Sequence, residues 1–207
     1  NDYNVKFLPK TQFAFLNFDK HKLPFVERDD VGYLKILKKK KFVFDIFKNY
    51  LLVMPINGTF YYQKKYQIKF DKKFNKIYSN LNTSNALDIF IDNDDLYVSY
   101  EKKIENCAFL YLARSKINFK KLNFENIFKS KECVSKIQSG RIQKTIINNE
   151  DFILLSTAAD IFSGKKNLSG DPKPQDEKSI YGKIIAINAK DYSQSIFSKG
   201  HRNILGL

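Results

Sequence analysis

The chain has 207 residues, of which 43% are apolar and 28% are charged, and this composition predicts a folded chain with a sizeable core. No apolar run approaches the roughly 18 residues that a membrane-spanning helix needs, so we expect no transmembrane segment. Two cysteines and two histidines exclude a small disulfide scaffold and argue against a zinc site built from these residue types.

The chain is strongly basic, with 36 Lys and Arg against 22 Asp and Glu and a formal net charge of +14. Such a surplus is typical of proteins that bind nucleic acid. However, lysine supplies nearly all of it, whereas base and phosphate recognition favours the planar fork of arginine. The only dense basic run, Lys38 to Lys41, directly precedes an apolar strand. We therefore expect a solvated, lysine-rich surface and no nucleic-acid partner, and keep a basic nucleic-acid-binding β protein as a lower-ranked alternative.

Three segments read as β-hairpins, each with an apolar strand, a tight turn containing Asn or Asp, and a second apolar strand. In chain order they are FVFDIFKNYLLVM at 42–54, IFIDNDDLYVSY at 89–100 and TIINNEDFILLS at 145–156. Aligning Leu51 with Leu96 and Leu96 with Phe152 gives spacings of 45 and 56 residues. These spacings suit a repeated unit of about four strands, the size of one β-propeller blade.

The segments between the hairpins also favour strands. Residues 108–117 predict a strand with Leu110 and Leu112 on one face and Phe109, Tyr111 and Ala113 on the other. Residues 182–188 predict a further apolar strand, residues 123–130 a short turn of helix or a loop, and residues 164–176 a loop, because this last segment contains two Pro and two Gly.

Together these elements predict an all-β chain, and specifically a single β-propeller domain over residues 1–207. Blades of about 50 residues would give roughly four blades here, so we expect part of a longer propeller that continues beyond Leu207. A complete β-sandwich or a small closed propeller is the alternative.

Three stretches of the C-terminal half follow one another in the order and spacing of a known family. Residues 200–207 read GHRNILGL and are similar to its Gly-His-Arg-Asn-Pro-Gln-Gly-Leu pattern. Residues 174–188 are similar to its Gln-Asp … Gly-Lys-Ile/Val-Leu-Arg-Ile/Leu-Asn segment, and residues 138–142 to its Gly-Gly-Arg or Ser-Gly-Arg stretch. Over about residues 87–207 the chain thus resembles the soluble sugar dehydrogenases that use pyrroloquinoline quinone (PQQ), which include the glucose, aldose and glucose/sorbosone dehydrogenases.

The resemblance implies a six-bladed propeller that binds PQQ and oxidises the C1 hydroxyl of a sugar by hydride transfer to the PQQ C5. By its match to the family motif, Arg202 would polarise the quinone oxygen. Asn203 would be the neighbouring PQQ ligand, and Asp160 would orient the histidine that acts as general base. The calcium ion that assists PQQ would be bound by residues beyond Leu207.

The sequence departs from the family at the general base, because the matching position holds Ile137, which cannot accept a proton. A non-catalytic propeller that binds a carbohydrate or a protein partner is therefore the alternative function. Glu132 or Asp160 could replace the base, or Asp160 could merely cap a strand end. Likewise, Arg202 could pin a loop through hydrogen bonds to carbonyl groups instead of contacting a cofactor.

The two cysteines, Cys107 and Cys133, stand at the two ends of a long connection. The resemblance implies export, and an oxidising periplasm would permit a disulfide between them. We expect this bond and a periplasmic or secreted location, with two reduced thiols in a cytosolic protein as the alternative. The sequence has no initial Met and no signal-like stretch, so we expect any leader to have been removed or to lie outside it.

Overall fold

The computed structural model describes residues 5–7, 42–55, 58–64, 74–159, 174–204 and 206–207. All regular secondary structure within these ranges is β-strand, so the all-β prediction is confirmed, and no helix that could cross a membrane occurs there. The strands are β1 (Val5–Phe7), β2 (Phe42–Phe47), β3 (Tyr50–Pro55), β4 (Phe60–Lys64), β5 (Asn75–Ser79), β6 (Asn85–Asp92), β7 (Asp95–Ile104), β8 (Cys107–Lys116), β9 (Lys121–Leu122), β10 (Glu125–Lys129), β11 (Ile142–Ile147), β12 (Glu150–Ser156), β13 (Lys183–Asn188) and β14 (Gln194–Lys199).

The strands form three sheets, each built on four antiparallel strands. The first sheet has the order β2-β3-β4-β5, with the short β9 added in parallel to β5. The second sheet has the order β6-β7-β8-β10. The third has the order β11-β12-β13-β14, with β1 antiparallel to β11 at its edge. Neighbours in each four-stranded unit follow one another along the chain, except that β9 lies between β8 and β10.

The three predicted hairpins are confirmed as β2–β3, β6–β7 and β11–β12. Their turns begin with Lys48, Asn93 and Asn148, which have φ values of 52°, 52° and 51° in the left-handed region that tight hairpin turns require. The predicted spacing of 45 residues between the first two turns is confirmed. The second spacing is 55 residues and not 56, so the predicted alignment with Phe152 is wrong by one residue. Such a shift exchanges the two faces of a strand.

The second sheet lies between the other two, and its two faces are both apolar. In β8, Leu110 and Leu112 belong to the core shared with the third sheet, whereas Tyr111 and Ala113 belong to the core shared with the first. This is the alternation that was predicted for residues 108–117. Since both faces are covered, the second sheet is the most deeply buried part of the described fold.

The prediction for residues 123–130 was wrong, because this segment contains β10, which pairs with β8. The pairing shifts between Asn126 and Phe128, so that Ile127 and Phe128 both enter the core although they are consecutive. The β-bulge thereby removes the alternation that would have indicated a strand. The predicted loop at 164–176 lies outside the described residues except for its last three positions, and Lys38 to Lys41 also lie outside them.

The first strands of the three sheets are joined to one another by buried carboxylates. Asp45 on β2 accepts the backbone N–H of Ile91 on β6 at 2.9 Å. Asp88 on β6 accepts the backbone N–H of Ile142 on β11 at 3.0 Å. Both aspartates are 5% exposed, so each charge is stabilised by these hydrogen bonds instead of by water. These hydrogen bonds therefore join β2 to β6 and β6 to β11.

Candidate functional site

Three segments of the chain converge at the end of the third sheet that lies opposite its 148–149 turn. Residues 137–141 lead into β11, residues 156–159 include the end of β12, and residues 200–204 follow β14. Residues 180–183 lead into β13 beside them. We call residues 137–141, 156–159, 180–183 and 200–204 the motif cluster, since all three family-like stretches contribute to it.

Buried hydroxyl groups connect two of these segments to the third. Ser139 Oγ donates to the carbonyl oxygen of Ile204 at 2.5 Å and lies 2.6 Å from Ser156 Oγ. Because the single proton of Ser139 is used on Ile204, Ser156 is the donor to Ser139. Ser156 Oγ in turn accepts the backbone N–H of Arg141 at 2.8 Å. The hydrogen bonds therefore run in one direction from the start of β11 to the loop that follows β14.

Backbone hydrogen bonds hold the loop that carries Arg202. The carbonyl oxygen of Arg202 accepts from the backbone N–H of Ala159 at 2.8 Å, and the backbone N–H of His201 donates to Gly182 at 2.9 Å. Arg202 and Asn203 have exposed side chains. Among the described residues, the Arg202 guanidinium has no hydrogen bond or ion pair. The loop is thus held by its main chain, and the guanidinium faces solvent.

Gly182 is required where this loop crosses the start of β13. Its φ of +71° lies in the left-handed region, and a Cβ added there would lie 2.6 Å from the carbonyl oxygen of His201. A side chain at this position would push the loop away from β13. The His201 ring is hydrogen-bonded to the end of β14, with Nε2 2.8 Å from Ser198 Oγ.

Ile137, at the position of the expected base, is 3% exposed and belongs to the core between the second and third sheets. Its backbone N–H donates to Glu101 Oε2 at 2.7 Å. Glu101 is on β7 and is itself only 3% exposed. The sequence analysis missed Glu101, because 36 residues separate it from Ile137. The signal that could have indicated Glu101 is that this acidic residue directly follows the mostly apolar run of residues 96–100.

Glu132, one of the two replacements considered for the base, uses both carboxylate oxygens to hold the connection before β13. Oε1 accepts the backbone N–H of Ile180 at 2.8 Å, and Oε2 accepts the hydroxyl of Ser179 at 3.0 Å. Glu132 therefore joins the second sheet to the third. The other candidate, Asp160, lies outside the described residues.

Cys107 and Cys133 are paired, as predicted, with an S–S distance of 2.11 Å. The bond attaches the connection between β10 and β11 to the start of β8. Backbone hydrogen bonds in both directions between Ala108 and Val134 reinforce this attachment. Since Ile137 and Ser139 lie a few residues further along, the disulfide fixes the segment that enters the motif cluster.

A fully buried lysine, Lys183, lies in the motif cluster. Burial lowers the pKa of Lys183 below its usual range, although Asp176 and Glu132 partly oppose this effect. Its Nζ donates to the carbonyl oxygen of Tyr181 at 3.3 Å. No group of three or more His, Cys, Asp or Glu that could hold a metal ion occurs in the part of the chain that the structure describes.

Comparison with protein families and with curated proteins gives no match to this chain. The likeness to the sugar dehydrogenases therefore rests on the three short stretches of sequence alone.

Proposed function

We propose that this chain is part of a β-propeller of the PQQ-dependent sugar dehydrogenase type, with its three sheets as consecutive blades. Three features support the proposal. Each sheet contains four antiparallel strands in chain order, and the second sheet packs between the other two. In addition, the first strands β2, β6 and β11 lie side by side, as the inner strands of adjacent blades do.

In this proposal the motif cluster is the binding site for PQQ and an aldose. The observation that carries it is the exposed guanidinium of Arg202 on a loop that the main chain holds in place. A guanidinium suits an anionic quinone, because its planar donors match carboxylate and quinone oxygens. The exposed amide of Asn203 would add a further donor. When bound, PQQ would supply the hydride acceptor for the oxidation of the sugar at C1.

A second candidate is a non-catalytic propeller that binds a carbohydrate or a protein partner. Ile137 favours it, because a buried isoleucine offers no proton acceptor at the position of the base. Under this proposal the exposed Arg202 and Asn203 would bind a ligand without oxidising it.

For location, we propose a periplasmic or secreted protein. The disulfide between Cys107 and Cys133 supports this, because such bonds persist in oxidising compartments.

The two candidates are separated by measuring binding and turnover on the same samples. PQQ and calcium are added to the protein, PQQ binding is followed by calorimetry, and dye reduction is measured with a panel of aldoses. Arg202→Ala should weaken PQQ binding by about tenfold or more, since it removes a charge-assisted contact. Lys190→Ala is the matched control, because it removes one exposed positive charge from a turn at the opposite end of the third sheet.

Turnover with an aldose would support the dehydrogenase and contradict the non-catalytic candidate. Sugar binding without turnover would support the second candidate. Absence of both PQQ and sugar binding would contradict the dehydrogenase and the carbohydrate-binding form of the second candidate. Strong, salt-sensitive binding to DNA or RNA would instead favour the basic nucleic-acid-binding alternative.

A further inference from the structure

A polar cavity of about 370 Å³ lies beside the 93–94 turn of the second sheet, away from the motif cluster. All of its lining residues are polar or charged, and they include Asp95, Arg114, Lys116, Asn118, Lys121 and Glu125. Its volume is in the range of small-molecule sites, but no aliphatic or aromatic residue lines it, unlike most such sites. An occupant would therefore be recognised through charge and hydrogen bonds.

The segment between β8 and β10 that forms one wall of the cavity, residues 117–124, contains β9 and is anchored by aromatic side chains near its two ends. The ring of Phe119 lies 4.5 Å from that of Tyr62, and the ring of Phe124 stacks on Phe60 at 5.4 Å. These contacts hold the backbone that carries the intervening polar side chains, which lowers the entropic cost of ordering this segment around a ligand.

A network of ion pairs fixes the charged floor of the cavity. Arg114 Nε and Lys116 Nζ donate to the two oxygens of Asp95, each at 3.0 Å. Arg114 Nη1 also donates to the hydroxyl of Tyr192, next to the third sheet, at 2.9 Å. The hydrogen bond to Asp95 raises the pKa of Arg114 further above its already high ordinary value. Arg114 is therefore a fixed cation with donors left over for a ligand.

The cavity carries one unbalanced positive charge. Three cations line it, and the carboxylates of Asp95 and Glu125 neutralise two of them. Lys121 has an exposed side chain without an ion pair to any other residue in the described ranges. Asn118 uses its side-chain oxygen to accept the backbone N–H groups of Lys120 and Lys121, so its amide nitrogen remains a donor.

We propose that this cavity binds a small hydroxylated carboxylate, such as a sugar acid. Lys121 and Arg114 would contact the ligand carboxylate, while the asparagine amides and the carboxylates of the lining would bond to its hydroxyl groups. The proposal is independent of the motif cluster, which lies at the other end of the sheets.

The test compares D-glucuronate with D-glucose by calorimetry, because the two differ only in the carboxylate. We expect glucuronate to bind at least about tenfold more tightly than glucose, and its affinity to fall as salt is added. Lys121→Gln should weaken glucuronate binding by about tenfold. Lys120→Gln is the matched control, because this neighbouring exposed lysine does not line the cavity. The affinity of this variant for glucuronate should be unchanged. Thermal unfolding of each variant verifies that it is folded.

Several outcomes would overturn the proposal. They are no glucuronate binding up to about 10 mM, equal affinities for glucose and glucuronate, or equal losses in the two lysine variants. Loss of glucuronate binding in Arg202→Ala would also overturn it, since the ligand would then be bound at the motif cluster. Failure of PQQ binding alone would leave this proposal standing and would contradict only the proposed function.

Discussion

Removal of the disulfide should destabilise the whole fold by a predictable amount. Cys107 and Cys133 are separated by 26 residues. In the chain-entropy treatment, a closed loop of this length contributes about 3.5 kcal/mol to the free energy of unfolding. This is a large share of the roughly 5–15 kcal/mol that keeps an ordinary domain folded. Cys107→Ser combined with Cys133→Ser should therefore lower the unfolding free energy by about 2–3.5 kcal/mol, allowing for structure that persists in the unfolded chain.

Urea unfolding with linear extrapolation measures this difference on three samples: the oxidised protein, the protein reduced with dithiothreitol, and the double variant. The oxidised protein should show no free thiols, since both cysteines are paired. Reduction should reproduce the loss seen in the double variant. The variant itself should be insensitive to dithiothreitol, which makes it the control for other effects of the reductant.

The disulfide should also act locally on the motif cluster. Reduction should speed amide hydrogen exchange in residues 131–141, and in residues 200–204 through the Ser139 hydrogen bond to Ile204. A loss of unfolding free energy below about 1 kcal/mol, or unchanged exchange in residues 131–141, would contradict these expectations.

Three further predictions test packing and charge. Gly140→Ala should destabilise the fold by about 1–3 kcal/mol, because the added Cβ would lie 2.7 Å from Leu87 Cδ1. Gly206→Ala is the control: its added Cβ meets nothing within 4 Å, so the urea midpoint should be unchanged. Equal midpoints for these two variants would be contrary to expectation. Burial opposes the charge of Asp95, but hydrogen bonds from its two cationic partners outweigh burial and hold its pKa below 3.8. The contribution of Asp95 to the free energy of unfolding is therefore complete above pH 3.8 and is lost as the pH falls through the lower pKa of the folded state. Asp95→Asn should therefore flatten the acid decline of stability between about pH 5 and pH 2. Parallel declines of stability in the variant and the unsubstituted protein would argue against this. Burial raises the pKa of Tyr97 to about 12, so the unfolded chain ionises first and stability should fall as the pH rises from about 10 towards 12. Tyr97→Phe should reduce this alkaline decline of stability. An unchanged dependence of the urea midpoint on pH in this variant would contradict the role given to Tyr97.

Local signals were sufficient to predict the hairpins and the faces of β8. Turn residues such as Asn93 and Asn148 tolerate the left-handed backbone, and they separate clearly apolar strands. The alignment of the third hairpin failed by one residue, because both faces of β12 are apolar. With Ile153 and Leu154 both buried, the composition does not reveal which residue faces which sheet.

Contacts between distant segments could not be predicted from the sequence. The bulge in β10 hides a strand within an irregular pattern, and the bond between Glu101 and Ile137 depends on packing of the second sheet against the loop before β11. The family-like stretches drew attention to Arg202 and Asn203, whose role as ligand contacts stays a prediction. They did not indicate that serine hydroxyls and main-chain bonds would hold this loop, because short motifs contain no information about their distant partners.

We propose that the motif cluster forms one ligand site around Arg202. Hydrogen exchange followed by mass spectrometry, with and without PQQ and calcium, would measure protection of its segments by a ligand. We expect slower exchange in residues 137–141, 156–159 and 200–204, with no change at the 93–94 and 148–149 turns. No protection in the motif cluster, or protection confined to the cavity around Arg114, would contradict it.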